Sequence, residues 1–201
     1  VDTLRYVSAV LILIAVPFGL SFWLLIHPLA RFWRRRGTAA TYTVVAGTGL
    51  ALSAIAFRFR LRLLATEYGT SYPLAVLGLA LIVTALLIAR TRRRHLTWRI
   101  LFGLPELSAG AAPGRLLKEG IYARIRHPRY VEAVLGICGY ALVANYLAGY
   151  LACAVSLPLL YLIVLLEERE LRSRFGAEYE AYCREVPRFL PRFGPRPRHC
   201  G

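Results

Sequence analysis

The chain has 201 residues, is 57% hydrophobic with a mean hydropathy of +0.50, and carries a formal net charge of +15. Soluble domains are roughly 45–50% apolar, so an ordinary soluble domain is excluded, and the basic residues fall between apolar runs without a nucleic-acid-binding motif, which argues against DNA or RNA as a partner. Cys138, Cys153, Cys183 and Cys200 form no C-x-x-C pair, so neither a metal site nor a disulfide framework is expected.

Apolar runs near the roughly 20 helical residues that cross a bilayer recur along the chain. They predict an all-α integral membrane protein of about five transmembrane helices. The first span covers residues 6–29 and is closed by Arg31, Arg34, Arg35 and Arg36. It is too long for a signal-peptide core, and no small-residue cleavage site follows it. Val1 stands where a start methionine would, as from an alternative start codon or a trimmed chain, and His27 before Pro28 reads as structural. The second span, 39–57, contains Gly47 and Gly49, small surfaces suited to close helix packing. Arg58, Arg60 and Arg62 then alternate with Phe59 and Leu61 in a short interfacial stretch. The third span, 72–89, opens on Tyr72-Pro73, and proline is tolerated in a first helical turn.

From 90 to 129 the chain leaves the membrane. Gly103, Pro105, Gly110, Pro113 and Gly114 punctuate this basic segment, which predicts a loop with short helical pieces. The fourth span is 130–147 and the fifth 150–166, with Pro158 expected to kink it. A tight turn near Asn145 and Gly149 makes them an antiparallel hairpin, which returns the C-terminal part to the face that holds the 90–129 loop. Beyond Leu166, Leu171, Phe175, Tyr179, Tyr182 and Val186 recur at helical spacing among charged residues, which predicts an amphipathic C-terminal helix. The tail with Pro191, Pro195 and Pro197 reads as extended, and His199-Cys200-Gly201 fits no prenylation box. Residues 1–90 thus form an N-terminal set of three spans and 91–201 a second unit. Most basic residues lie in the first loop, the 90–129 loop and the tail, which places the N-terminus outside and the C-terminus in the cytoplasm. Arg58, Arg60 and Arg62 lie on the opposite side of that arrangement.

Two polar clusters converge on one face under this topology. One is Gly120-Ile121-Tyr122-Ala123-Arg124-Ile125-Arg126-His127-Pro128-Arg129-Tyr130 at the mouth of the fourth span; the other is Glu167-Glu168 at the end of the fifth. Ionisable groups at the bilayer boundary are costly unless paired, and so mark a candidate site. Bland readings stand beside this one. Arg126 serves equally as a positive-inside anchor, His127 as a cap of the hairpin, and Glu167-Glu168 as a solvated face pairing with Arg172. Glu132 either snorkels to the interface or marks an acceptor pocket.

Arg115-Leu116-Leu117, Gly120-x-Tyr122, Arg126-His127-Pro128-x-Tyr130 and, downstream, Glu167-Glu168-x-x-Leu171-x-x-x-Phe175-Gly176-x-x-Tyr179-x-x-Tyr182-x-x-x-Val186-Pro187-Arg188 together resemble the isoprenylcysteine carboxyl methyltransferases and related phospholipid methyltransferases, over residues 113–191. The resemblance implies an S-adenosyl-L-methionine-dependent enzyme of a prokaryotic plasma membrane, with the cofactor site cytoplasmic. It implies a cofactor pocket lined by Leu116, Leu117, Tyr122, Arg126, His127, Pro128, Tyr130, Glu167 and Glu168. In chemical terms Arg126 suits the cofactor's carboxylate, a glutamate its ammonium, and aromatic faces its sulfonium. The acceptor is a lipophilic molecule entering from the membrane lipid: an isoprenylcysteine-like carboxylate, a phospholipid amine or another small lipid. An amine acceptor needs a base, for which Glu132 or His127 qualifies, so Arg126 and Glu132 are the candidate catalytic pair.

Departures fall on the acceptor side. The prenylcysteine enzymes of higher organisms carry an acceptor-contacting arginine where this chain has Ile163, a histidine at Gly114 and a glycine at Glu132. Two rival readings are a sterol-type membrane reductase using NADPH, which shares an Arg-His-Pro-x-Tyr segment, and a non-catalytic membrane scaffold.

Overall fold

The computed structural model describes residues 1–26, 29–93 and 116–191. Among these, every regular element is helical: α1 (Asp2–Ile26), α2 (Ala30–Arg36), α3 (Thr38–Arg58), α4 (Arg60–Leu63), α5 (Tyr72–Arg93), a 3-10 turn (Gly120–Ala123), α6 (Pro128–Ala144), α7 (Leu147–Phe175) and α8 (Ala177–Glu185). Helices α1, α3, α5 and α7 are long and apolar enough to cross a bilayer. The fourth expected span, α6, has 17 residues, about 25 Å of helix and the lower end of crossing length. Leu50, Val76, Leu86 and Leu87 point outward and exposed, a surface that lipid accepts and water does not. The chain is a multi-pass membrane protein.

Close packing depends on small residues. A Cβ added at Gly78 on α5 would meet the Gly139 carbonyl oxygen of α6 at 2.6 Å, and one at Gly139 would meet the Gly78 oxygen at 2.8 Å. The two backbones therefore cross in direct contact, which side chains of any size forbid. Gly49 on α3 receives the Phe18 ring of α1 in the same manner, whereas Gly47 has nothing within 4 Å. Ser53 Oγ of α3 donates to the Ile14 carbonyl of α1 at 2.8 Å, a polar tie that hydrocarbon favours because no water competes.

Several boundaries differ from the sequence reading. Helix α5 continues through Arg93, so Arg90 and Arg92 lie in a helix rather than in a loop. Residues 94–115, with the short helical pieces expected there, lie outside the described residues, as do His27 and the 192–201 tail. The fifth span and the polar stretch beyond Leu166 are one unbroken helix, 29 residues long, with Pro158 inside it. The expected amphipathic helix is divided at Gly176, whose φ of 50° ends α7 and starts α8. Only a residue without Cβ adopts its conformation (ψ −125°) at little cost. Gly149 belongs to α7; the hairpin turns instead on Asn145, held in the left-handed region at φ 56°.

The turn end is stitched to the segment between α4 and α5. Tyr68 N donates to the Asn145 carbonyl at 3.1 Å and Leu147 N to the Thr66 carbonyl at 3.1 Å. Asn145 Nδ2 donates to the Gly69 carbonyl at 2.8 Å. Buried Arg5 donates from Nε to the Ala144 carbonyl at 3.1 Å and pairs with Asp2 and Glu67. At the opposite end, the residues after α8 run beside the start of α6. Arg126 N donates to the Pro187 carbonyl at 2.9 Å and His127 N to that of Arg188 at 3.1 Å. That pairing closes the site.

Candidate functional site

Glu168 is the centre of the cluster. Its side chain is 0% exposed and sits on the inner face of α7. Arg188 grips it with two bonds, Nε to Oε1 at 2.9 Å and Nη2 to Oε2 at 2.7 Å. His127 Nε2 lies 3.1 Å from Oε1, Arg126 Nη1 lies 3.3 Å from Oε1, and Arg172 Nη2 lies 3.4 Å from Oε2, one helical turn away. A buried carboxylate is tolerable when its lone pairs are filled by charged donors. Here α6, α7 and the segment after α8 supply them jointly. The same contact fixes those three elements to one another.

Glu167, the adjacent residue on α7, has a different environment. Its Oε2 is 3.7 Å from His127 Nδ1, beyond hydrogen-bond reach, and is buried with no partner among the described residues. Nε of Arg126 and the hydroxyl of Tyr179 are likewise buried without one. Arg126 Nη1 is directed at Cys183 Sγ of α8 as well as at Glu168. Two complementary orphans, one acceptor and one donor, therefore flank the buried ion network. An arginine N–H suits a carboxylate and a glutamate oxygen suits an ammonium or a hydroxyl, so the donor set fits S-adenosylmethionine.

The 3-10 turn places Tyr122 against this cluster. Its backbone carbonyl accepts from the Tyr182 hydroxyl at 2.7 Å, fixing the turn on α8. Burial pushes the Tyr122 phenol up to about 12, with the nearby Arg92 charge working in the opposite direction and Glu167 adding to the rise. Leu116 packs among Tyr179, Tyr182 and Val186, while Leu117 beside it is half-buried. Pro128 is fully buried at the first turn of α6, where its missing N–H costs nothing. Tyr130 is also buried, packed between Trp23 (ring centroids 5.2 Å apart), His127 (5.7 Å) and the Leu160–Ile163–Val164 face of α7.

A sequence profile described as phospholipid methyltransferase matches residues 73–178. The chain belongs to the phospholipid methyltransferase family. Among individual proteins, it is 35% identical to the cobalt-zinc-cadmium resistance protein CzcN of Cupriavidus metallidurans over 85 residues, 42% of this chain and 39% of that one. It is 32% identical to the nickel-cobalt-cadmium resistance protein NccN of Alcaligenes xylosoxydans xylosoxydans over 84 residues, 42% and 39% of the two chains. It is 35% identical to the protein-S-isoprenylcysteine O-methyltransferase of Schizosaccharomyces pombe over 77 residues, 38% of this chain and 33% of that enzyme. The chain thus spans about two fifths or less of the length of the curated relatives it matches. No solved structure matches it.

Within this methyltransferase family member, the structure brings Tyr122, Arg126, His127, Pro128, Glu167 and Glu168 together, with Leu116 beneath them. Tyr130 lies at the edge, in an apolar cluster. Glu132 stands apart from the ion network: Arg92 of α5 holds it by Nε to Oε2 at 2.9 Å and Nη2 to Oε1 at 3.3 Å. Sequence reasoning missed Arg92, Arg188, Cys183 and Tyr182. Arg188 and Tyr182 were visible as members of the downstream motif. Arg92 carried no signal beyond being basic next to a span, and Cys183 none beyond its helical position.

Proposed function

We propose that the chain binds S-adenosylmethionine at the Arg126–Glu167–Tyr122 cluster and methylates a lipophilic acceptor delivered from the bilayer. The observation that carries this reading is the pair of buried, partnerless polar atoms, Arg126 Nε and Glu167 Oε2, beside a satisfied ion network in a member of a methyltransferase family. Arg126 would take the cofactor's carboxylate and Glu167 its ammonium or ribose hydroxyls. Tyr122, His127, Pro128 and the Leu116-Leu117 backbone would line the rest. When bound, the cofactor supplies a methyl group activated by its sulfonium.

The chain's own contribution is positioning. Glu168 is committed to Arg126, His127, Arg172 and Arg188, so its role is to hold the donors in place while Glu167 stays available. Glu132, forked onto Arg92, is more a counter-ion than a proton acceptor. Holding two reactants in line, in a site sealed by α8 and the residues after it, supplies the acceleration such a transfer needs. An open apolar groove of about 370 Å³ runs along α1 from Ile12 to Leu20, bounded by Ala56, Leu63 and Leu151, on the α1–α3–α7 side of the bundle and away from the ion network. Leu20 also packs in the cluster that carries Tyr130.

The test is calorimetry on the purified protein in nonionic detergent, with S-adenosylhomocysteine and NADPH as ligands. The first should bind and the second should not, and Arg126→Ala should weaken the first by about tenfold or more. Absence of S-adenosylhomocysteine binding, or an unchanged affinity in Arg126→Ala, overturns the proposal in favour of a reductase or a scaffold. Labelled cofactor incubated with total membrane lipid would then identify the acceptor.

A further inference from the structure

We propose that Arg92 is the anion-recognition residue of the acceptor pocket, taking a carboxylate or phosphate oxygen of an amphiphile whose tail lies in the bilayer. The inference rests on the methyltransferase reading above and adds the charge class of the acceptor. Arg92 is 4% exposed on the last turn of α5, at the edge of the membrane, where an unpaired cation is costly. Glu132 satisfies Nε and Nη2 by a fork of 2.9 and 3.3 Å. Nη1 is left buried, with no hydrogen-bond partner among the described residues. A guanidinium has five N–H groups in a fixed plane, so one edge on Glu132 aims the remaining corner in a defined direction.

The helix that carries Arg92 packs against the 3-10 turn that carries Tyr122. Tyr122 feels Arg92 and Glu132 together with Glu167 and Arg129, so the Arg92–Glu132 pair and the proposed cofactor cluster share this one tyrosine as a neighbour. Of the neighbouring arginines among the described residues, Arg126 is assigned above to the cofactor and the others are engaged. Arg172 and Arg188 hold Glu168, Arg126 lies between Glu168 and Cys183, and Arg129 stacks over the Trp23 ring at 4.7 Å. Leu160, Ile163 and Val164 of α7 pack against Tyr130. An acceptor anion arriving from lipid would therefore find its counter-charge on α5. Glu132 neutralises Arg92, which lowers the cost of keeping it buried and also weakens its pull on an anion.

This gives the two partners opposite signs in an experiment. The purified protein, saturated with S-adenosylhomocysteine in nonionic detergent at about pH 9 so that carboxylates are ionised, is titrated with dodecanoate, dodecyl phosphate and dodecanol. The wild type should bind the two anions at least about tenfold more tightly than the alcohol. Arg92→Gln should abolish that preference, Arg92→Lys should keep part of it, and Glu132→Gln should raise anion affinity. All variants should hold S-adenosylhomocysteine within about twofold, which also reports that they are folded. Equal binding of anion and alcohol by the wild type overturns the inference. So does a parallel loss of anion binding in Arg92→Gln and Glu132→Gln, the mark of a merely structural pair. A loss of S-adenosylhomocysteine affinity in Arg92→Gln overturns it as well, by assigning the anion to the cofactor. If the wild type binds no S-adenosylhomocysteine, the methyltransferase reading fails instead, and the anion preference is still measurable without that ligand.

Discussion

Two neighbouring glutamates on one helix illustrate how burial and partners separate roles that sequence presents as equivalent. Glu168 faces inward and is filled by His127 and three arginines, Arg126, Arg172 and Arg188; Glu167, with 27% of its side chain exposed, keeps one buried oxygen without a hydrogen-bond partner. Replacing Glu168 by glutamine leaves buried Arg126 and the part-exposed Arg172 and Arg188 facing a neutral group, which costs about 3 kcal/mol, the lower end for a broken buried ion pair. Glu168→Gln should therefore lower thermal stability in detergent by that amount. Glu167→Gln should change stability by less than about 1 kcal/mol and instead weaken S-adenosylhomocysteine by about tenfold. Thermal unfolding and calorimetry on the same two preparations check both halves. Equal effects of the two substitutions on stability would contradict this division of labour.

At the scale of elements, the α5–α6 crossing has the tightest tolerance. Gly78→Ala pushes a Cβ to within 2.6 Å of the Gly139 carbonyl, and backbone cannot swing aside as a side chain can. Overpacking of this kind costs about 1–3 kcal/mol, and because α5 and α6 carry Arg92 and Glu132, the separation should also loosen that pair. Gly47→Ala on α3 meets open space. It should be neutral or stabilise the helix by up to about 1 kcal/mol. Thermal unfolding of the two variants side by side is the check. The sequence motif of paired glycines on α3 pointed to close packing, yet Gly49 is at a contact and Gly47 is not. At the tightest crossing, Gly78 sits singly in its apolar run, and Gly139 follows Gly136, which has nothing within 4 Å. Helical period alone does not show which face of a lipid-soluble helix meets another helix, since every face is apolar.

At the scale of the whole molecule, the helices order the two ends of the bundle on opposite faces of the bilayer. One end holds Arg5, the segment before α5 and the Asn145 turn; the other holds the 3-10 turn, α8 and the ion network around Glu168. From the distribution of basic residues we propose that the second end faces the cytoplasm. Cysteine introduced at Tyr68, which is exposed, should be labelled by a membrane-impermeant maleimide in intact cells, measured against the native cysteine background. Cysteine introduced at Glu180 on α8 should be labelled only after the membrane is permeabilised. The reverse pattern would invert the proposed orientation.

Much of this architecture was already encoded linearly. Apolar run lengths placed the five long helices in order, four of them long and apolar enough to cross a bilayer, because a bilayer imposes one crossing length on every helix. The spacing of Arg126-His127-Pro128 and Glu167-Glu168 about a helical hairpin determined that the two clusters would share a face, since the two hairpin helices are of similar reach. Tertiary structure alone decided which glutamate is saturated and which is available, that Arg92 reaches Glu132 across the α5–α6 crossing, and that Arg188 returns to clamp α7. Those outcomes depend on side-chain direction and on competition among many arginines for few carboxylates. A count of charges along the chain leaves that competition open; only distances in the folded state resolve it.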